Sequence, residues 1–505
     1  MDTSAASKPQ YALSAGLGLN IEEIQARFGC SQDLVVKEMS FGSIDIALVY
    51  IEGLVDTYVL NQSIIAALLS DDKRSADAPS GNLLFFLKED VLSVGDIGLL
   101  KEMDSLFDSV LSGDVVLLAD GYAEALHIGA AGWEDRNVSE PTSQTVVRGP
   151  MEAFTENLRT NTALIRRKIK DPRLWLEGRQ IGTVTKTNVA VMYMKQIAQE
   201  SLVQEVFSRL DQIRIDSILE SGYIEEFIQD KTLTPFPTVY NSERPDTIAA
   251  GLLEGKVAIV IDGTPFVLLV PALFVQFFQS AEDYYQRADV STLLRMMRFM
   301  AFFITMLSPS LYIAVTTFHQ EMLPTNLLIN LAAQREGVPF PAFVEALLME
   351  VTFEILREAG VRMPKTVGQA VSIVGTLVIG QSAVEAGIVS AVMVIIVAIT
   401  AISSFVIPAA GMSISVRMIR FILMGLAASF GLIGILVGML LLIIHLSCLR
   451  SFGVPYLSSL SPFHGRDQKD TLFRLPWPRM TTRPMSTAKE NLWRQPRTSK
   501  PKPKT

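Results

Sequence analysis

At 505 residues the chain has room for two or three domains, and its mean hydropathy of +0.33 is high for a water-soluble protein of that length. Two cysteines, Cys30 and Cys448, argue against a disulfide framework or a cysteine metal site, and His127, His319, His445 and His464 are too scattered to form a ligand cluster. The formal net charge is −8, yet residues 450–505 are basic, so charge is distributed unevenly along the chain.

Residues 1–20 are small and polar and are expected to be disordered, with no basic segment followed by an apolar core to suggest a signal peptide. Helical spacing begins at Ile21–Phe28. Strand-like runs follow at Asp33–Phe41 and Ile44–Ile51, then a helix over 55–69 and a polar loop over 70–82. A helix near 98–112 leads to the strand Asp114–Ala119, a turn at Asp120-Gly121, and a return strand over Tyr122–Ile128.

The next stretch repeats this one. Ala47-Leu-Val-Tyr-Ile51 matches Ala190-Val-Met-Tyr-Met194, and Ser112–Gly121 matches Glu254–Gly263, at offsets of 143 and 142 positions. Two matches at nearly one offset predict two related α/β subdomains, each with a strand–Asp-Gly–strand hairpin. Asp120 and Asp262 are read first as turn residues and second as metal or catalytic candidates. Residues 271–287 are rich in Phe and Tyr and predict an amphipathic elbow at a membrane surface.

From Arg295 the composition changes. Apolar segments at 299–318, 367–387, 388–407 and 419–446 predict four spans plus one re-entrant or interfacial hairpin. Arg295 and Arg298 favour a cytoplasmic start to the first span. Between the spans, 342–359 is an apolar helix carrying Glu345, Glu350, Glu354, Arg357 and Glu358. At 100° per residue, Glu350, Glu354 and Arg357 share a face, Glu345 points away, and Glu354 can pair with Arg357 at i, i+3. An unpaired charge at mid-bilayer costs roughly 2.5–3.5 kcal/mol. Three readings stay open: a buried ion-pair network that fixes packing, an interfacial helix with solvated charges, or the lining of an ion path. Span 367–387 combines small residues at heptad steps with Gln369, Ser372, Thr376, Gln381 and Glu385, which suits close packing or a water-filled pore. The Pro-rich basic tail predicts disorder on the cytoplasmic side.

The fold class expected is an α+β soluble half of two related α/β subdomains, followed by an α-helical transmembrane domain. The divisions are 1–30 (a disordered or short helical N-terminus), 31–135, 150–290, 295–447 and 448–505. No nucleophile elbow, zinc-protease motif or phosphate loop is present, so no catalytic, cofactor or metal residues are assigned and an enzyme is not expected. The membrane explains the basic tail more simply than nucleic acid does.

Several longer motifs together resemble one family. They include Thr234-Pro-Phe-Pro237, Ser242-Glu-Arg-Pro-Asp246, Leu253–Phe266, Gln279–Tyr285, Phe318-His-Gln320, Val338-Pro-Phe-Pro341, Glu345–Thr352, Leu356–Gly360 and Ile379–Glu385. Val147–Pro150, Asn161 and Leu164–Arg167 fit as well. The sequence resembles the A subunits of bacterial spore germinant receptors, the GerA family, over roughly 30–465; the stage V sporulation AF proteins share the pattern. The resemblance implies a subunit of the endospore inner membrane; the soluble first half without a signal and the basic tail put both termini of a multi-pass chain in the cytoplasm. It implies a homo-oligomer, read as a pentamer, acting as a nutrient-gated channel for monovalent cations. The partners implied are a transporter-like B subunit, which would bind the nutrient, and a lipoprotein C subunit. On that reading Val371, Val374, Val378, Gln381 and Glu385 are pore candidates. A non-conducting scaffold is the alternative.

Overall fold

The computed structural model describes residues 12–29, 31–70, 83–132, 140–363, 380–463, 465, 467–488 and 491–495. The chain divides into two compact units. The first holds residues 1–229, 239–271 and 481–496; the second holds 230–238, 272–480 and 497–505.

The first unit contains two five-stranded antiparallel sheets. Strands β1 (Leu34–Phe41), β2 (Ile44–Ile51), β3 (Ile97–Leu100), β4 (Val115–Ala119) and β5 (Ala125–Ile128) lie in the order β1-β2-β4-β5-β3. Strands β6 (Leu174–Ile181), β7 (Thr187–Met194), β8 (Tyr240–Ser242), β9 (Val257–Ile261) and β10 (Val267–Val270) lie in the order β6-β7-β9-β10-β8. The two orders are equivalent. Strand β2 shows why its sequence is apolar without alternation. Ile46 and Leu48 face a core under helix Val59–Ser70, while Ala47, Val49 and Ile51 face a second core under helices α1 (Leu17–Phe28) and α2 (Met103–Ser112). A strand covered on both faces reads as a continuous apolar run.

The duplication begins earlier than residue 31. Asn20 closes a ring with the backbone of Ser14, accepting from its N–H at 2.9 Å and donating to its carbonyl at 2.7 Å. Asn161, on helix α3 (Leu158–Lys168), does the same with Thr155 at 2.7 and 2.6 Å. Asp120 accepts from the N–H of Leu17 at 3.0 Å, and Asp262 from that of Leu158 at 3.1 Å. Each Asp-Gly turn therefore also caps the first helix of its own repeat, and α1 belongs to the first repeat. A buried pair joins the repeats: Arg166 donates to both carboxylate oxygens of Asp33 at 2.7 and 2.9 Å.

The second unit is a helical bundle. Helix α4 (Ala288–Thr317) starts eleven residues before the predicted span and carries Pro309 inside it. Helices α5 (Thr325–Arg335), α6 (Ala342–Arg362), α7 (Ala391–Val406) and α8 (Ala410–Cys448) follow. Helix α8 changes direction within its length. Gly431 has φ 61° and ψ −140°, a conformation reserved almost wholly for glycine. Ser415 donates to the carbonyl of Pro235, while His445 Nε2 lies 2.9 Å from the hydroxyl of the adjacent Thr234. In a straight helix residues 415 and 445 would be about 45 Å apart. A Cβ on Gly438 would come within 2.6 Å of Leu423 Cδ2. The segment is thus a hairpin of two antiparallel arms, 410–430 and 432–448, where a single continuous helix was expected over 419–446.

Two further expectations change. The aromatic elbow does not face outward: Phe274, Phe277 and Phe278 are buried against Phe299, Phe302 and Tyr456. The basic tail is folded over most of its described length. Tyr456 is fully buried and donates to the Pro237 carbonyl at 2.8 Å, while Asp470 accepts from Arg295 and Tyr284. In the first unit Thr487 donates to the Glu254 carbonyl at 2.6 Å and Arg494 pairs with the Glu254 side chain at 2.8 Å. Proline-rich composition predicts disorder only where the other side chains find no partners.

Candidate functional site

The charged residues of α6 meet the first arm of α8 and the end of α7. Helix α6 follows Pro341, whose fixed φ suits entry to a helix. Glu350 and Glu354, one turn apart, present carboxylates to Arg417 and Arg420, which are three residues apart on α8. Arg420 Nη2 lies 2.8 Å from Glu350 Oε2 and 3.1 Å from Glu354 Oε1, and Arg417 Nη1 lies 2.5 Å from Glu354 Oε2. The Glu350–Arg420 contact is a close ion pair that lacks hydrogen-bond alignment, and neither Glu350 oxygen has a hydrogen-bond partner among the described residues.

Glu354 therefore pairs across the helix interface, not with Arg357 at i, i+3. Arg357 instead donates to Ser404 Oγ at 2.5 Å and lies 4.3 Å from the centroid of Phe405. In the sequence Arg417 and Arg420 stand at the start of the apolar segment 419–446. Their i, i+3 spacing, complementary to Glu350 and Glu354, was the available signal, but no local rule links positions 60 to 70 residues apart.

Glu345 does point elsewhere. It is fully buried, and its Oε1 accepts from the backbone N–H of Ser390 at 2.7 Å and from its hydroxyl at 2.5 Å. Ser390 is the N-cap of α7, accepting from the N–H of Met393, and Tyr312 of α4 lies 3.3 Å from the same hydroxyl. Glu345 thus locks the start of α7 against α6 and α4. Glu358 lies on the exposed side, paired with Arg362 at 2.5 Å.

Of the pore candidates, Val371, Val374 and Val378 lie outside the described residues. Gln381 and Glu385 sit on the short helix Gly380–Glu385, both exposed, with Gln381 Nε2 donating to Glu385 Oε1 at 2.8 Å. The arginines at the start of α4 form a second cluster. Arg295 is buried between Asp283 (3.1 Å) and Asp470 (2.9 Å), and Arg298 reaches Asp283 at 2.8 Å. Their charge is met by carboxylates of the same chain.

Helices α4 and α8 are long and apolar enough to cross a membrane. The arms of α8 span roughly 31 and 25 Å at 1.5 Å per residue, so each approaches the thickness of a hydrocarbon core. The outer face of α7 exposes Ile395, Ile399, Ile402 and Phe405, a continuous apolar stripe.

The family model for Bacillus/Clostridium GerA spore germination proteins matches residues 22–486. The chain is 51% identical over 494 residues to spore germination protein KA of Bacillus subtilis (strain 168), covering 97% of this chain and 90% of the relative. It is 45% identical over 481 residues to the membrane protein YfkQ of the same strain, covering 95% and 93%. Among solved structures, it is similar to the crystal structure of the N-terminal domain of the A subunit of the Bacillus megaterium spore germinant receptor GerK3. That match is 41% identical, covers 54% of this chain and 100% of the other, and has a TM-score of 0.43.

Proposed function

The chain belongs to the Bacillus/Clostridium GerA spore germination protein family, and on that premise we propose that it is a receptor A subunit whose oligomers conduct monovalent cations across the spore inner membrane. The observation that carries this reading is the reach of the family match. Residues 22–486 take in both the α/β unit and the helical bundle. A transporter-like B subunit and a lipoprotein C subunit are the partners in this proposal, and a pentamer is the assembly.

The bundle supports a multi-pass arrangement. Its exterior carries Ile395, Ile402, Phe405, Ile422, Ile433 and Leu436, each more than half exposed, a surface that suits hydrocarbon better than water. Arg357 and Ser404 mark one end of the bundle, near Ala410; Glu345, Ser390 and Gly431 mark the other. The chain leaves α6 at the first end and re-enters the described structure at the second, where Gly380 lies beside Val394. We assign an even number of passes, with both termini on the cytoplasmic side, and the reversal of α8 at Gly431 supports that reading.

Reconstituting the full chain in liposomes and following potassium release tests the channel. Flux from a defined oligomer supports it, and no flux in any oligomeric state favours a scaffold. Alanine at Val371, Val374 or Val378 should leak ions and trigger germination without nutrient; normal dormancy across all three removes them as pore residues. Deletion separates a receptor subunit from a stage V sporulation AF subunit. Loss of the former abolishes the response to its own nutrient, while loss of the latter slows the response to every nutrient.

A further inference from the structure

The charged cluster between α6, α7 and the first arm of α8 is not neutral. Among the described residues it holds two carboxylates, Glu350 and Glu354, and three guanidinium groups, Arg357, Arg417 and Arg420. Arg357 lies within electrostatic reach of the other four. Three positive charges against two negative ones leave a formal surplus of one. Glu350 and Arg420 are each no more than 1% exposed, so the surplus sits beside groups removed from solvent.

The donors are also unspent. The Nε atoms of Arg357, Arg417 and Arg420 are all buried without a hydrogen-bond partner among the described residues. Arg357 contacts a neutral hydroxyl and an aromatic face, and neither cancels a full charge. Arg357 is itself only half-buried, yet water satisfies donors without cancelling charge, and a surplus charge beside the buried Glu350–Arg420 pair is disfavoured. Guanidinium groups are weakly hydrated and present several donors in a plane, which suits them to hold an anion.

We propose that this cluster binds one singly charged anion, held by the guanidinium groups of Arg357, Arg417 and Arg420. The site goes beyond the channel reading and stands whether or not the bundle conducts. Two sources share this chemistry, a free halide and the phosphodiester of a lipid headgroup. Arg357 is five residues from the end of α6 and Arg417 seven from the start of α8, roughly 8–10 Å along the helix axes, a depth that a headgroup can reach.

The test uses the purified full chain in lipid-free detergent. Thermal stability is measured as chloride replaces gluconate at constant ionic strength, and separately as phosphatidylglycerol is added in gluconate. A saturable rise with chloride identifies a free anion; a saturable rise with phosphatidylglycerol alone identifies the headgroup. Arg357→Gln, which neutralises the cluster, should weaken the apparent affinity by about tenfold or more, since hydrogen bonds to charged groups are worth that much. Glu354→Gln, which raises the surplus to two, should tighten it. If Arg357→Gln does not fold, Arg357→Lys keeps the charge but removes the planar donor set, and should bind with intermediate affinity. No saturable response to either probe, or the same response in the Arg357 variants as in the parent, overturns the proposal.

Discussion

Arg420 holds its Nη2 2.8 Å from Glu350 Oε2, and both side chains are almost wholly withdrawn from solvent. Such a pair contributes little over an apolar replacement of the same shape, yet breaking it leaves one charge buried and unmatched. Glu350→Met or Arg420→Met alone should therefore destabilise the full chain by about 3–5 kcal/mol, while the two together should recover most of that loss. Thermal unfolding in detergent of the two single variants and the double variant measures the coupling. Simple additivity of the single losses would show that the two side chains do not act as a pair.

Asp120 and Asp262 occupy the same place in their repeats but do not carry equal weight. Helix α1 begins after Gly16, which offers no side-chain cap, so Asp120 is the side-chain acceptor at Leu17. Helix α3 begins after Asn157, whose side chain already accepts from Arg159 and Thr160. Loss of a cap costs about 0.5–2 kcal/mol. Asp120→Ala should fall toward the upper end of that range and Asp262→Ala toward the lower. Denaturant midpoints of the two variants give the order, and the reverse order would show that the turns, not the caps, dominate.

These two residues also mark how far the sequence could be read. The repeat was legible because its central strand and Asp-Gly turn recur nearly unchanged. The helix over Ile21–Phe28 was legible, but its membership in the repeat was not, because the ring closed by Asn20 on Ser14 recurs as Asn161 on Thr155, and a single shared Asn in a polar segment carries no pattern. The charged face of α6 was legible from helical periodicity. Its partners were not, since Arg417 and Arg420 belong to a helix far away in sequence. The tail misled because proline content speaks to local stiffness and says nothing of the carboxylates and carbonyls that Arg494 and Tyr456 reach.

Glu225 links the α/β unit to pH. Burial pushes its carboxyl up, the Asn241 amide at 3.4 Å pulls the other way, and nearby Glu220 and Glu226 add to the rise. A carboxyl whose folded pKa exceeds its unfolded value favours the native state most when protonated. That contribution is present below the unfolded value and is lost as pH rises through the folded value. Glu225→Gln should therefore stabilise the chain at neutral pH and change little at acid pH. Unfolding free energies of parent and variant across that range check the sign; a variant less stable than the parent at neutral pH would mean that the charged form makes a favourable contact.

Gly431 is the residue on which the α8 hairpin turns. Its sequence context, Phe430-Gly-Leu432 within a long apolar run, looks like any small residue in a span, because small residues in membrane helices more often serve packing than reversal. Any side chain there meets two obstacles. The backbone conformation costs about 1–3 kcal/mol for other residues, and a Cβ would lie 2.8 Å from His319 Cε1 and 3.0 Å from Phe318 Cβ. Gly431→Val should therefore strain the turn and favour a straighter, separated pair of arms. Spin labels at Ile414→Cys and Ile444→Cys, both exposed positions, report the geometry once Cys30 and Cys448 are replaced. A folded hairpin keeps the labels close together, whereas one continuous helix would hold them about 45 Å apart. A long distance in the parent protein would remove the hairpin. A short distance in the parent that lengthens in Gly431→Val would tie the reversal to this one glycine.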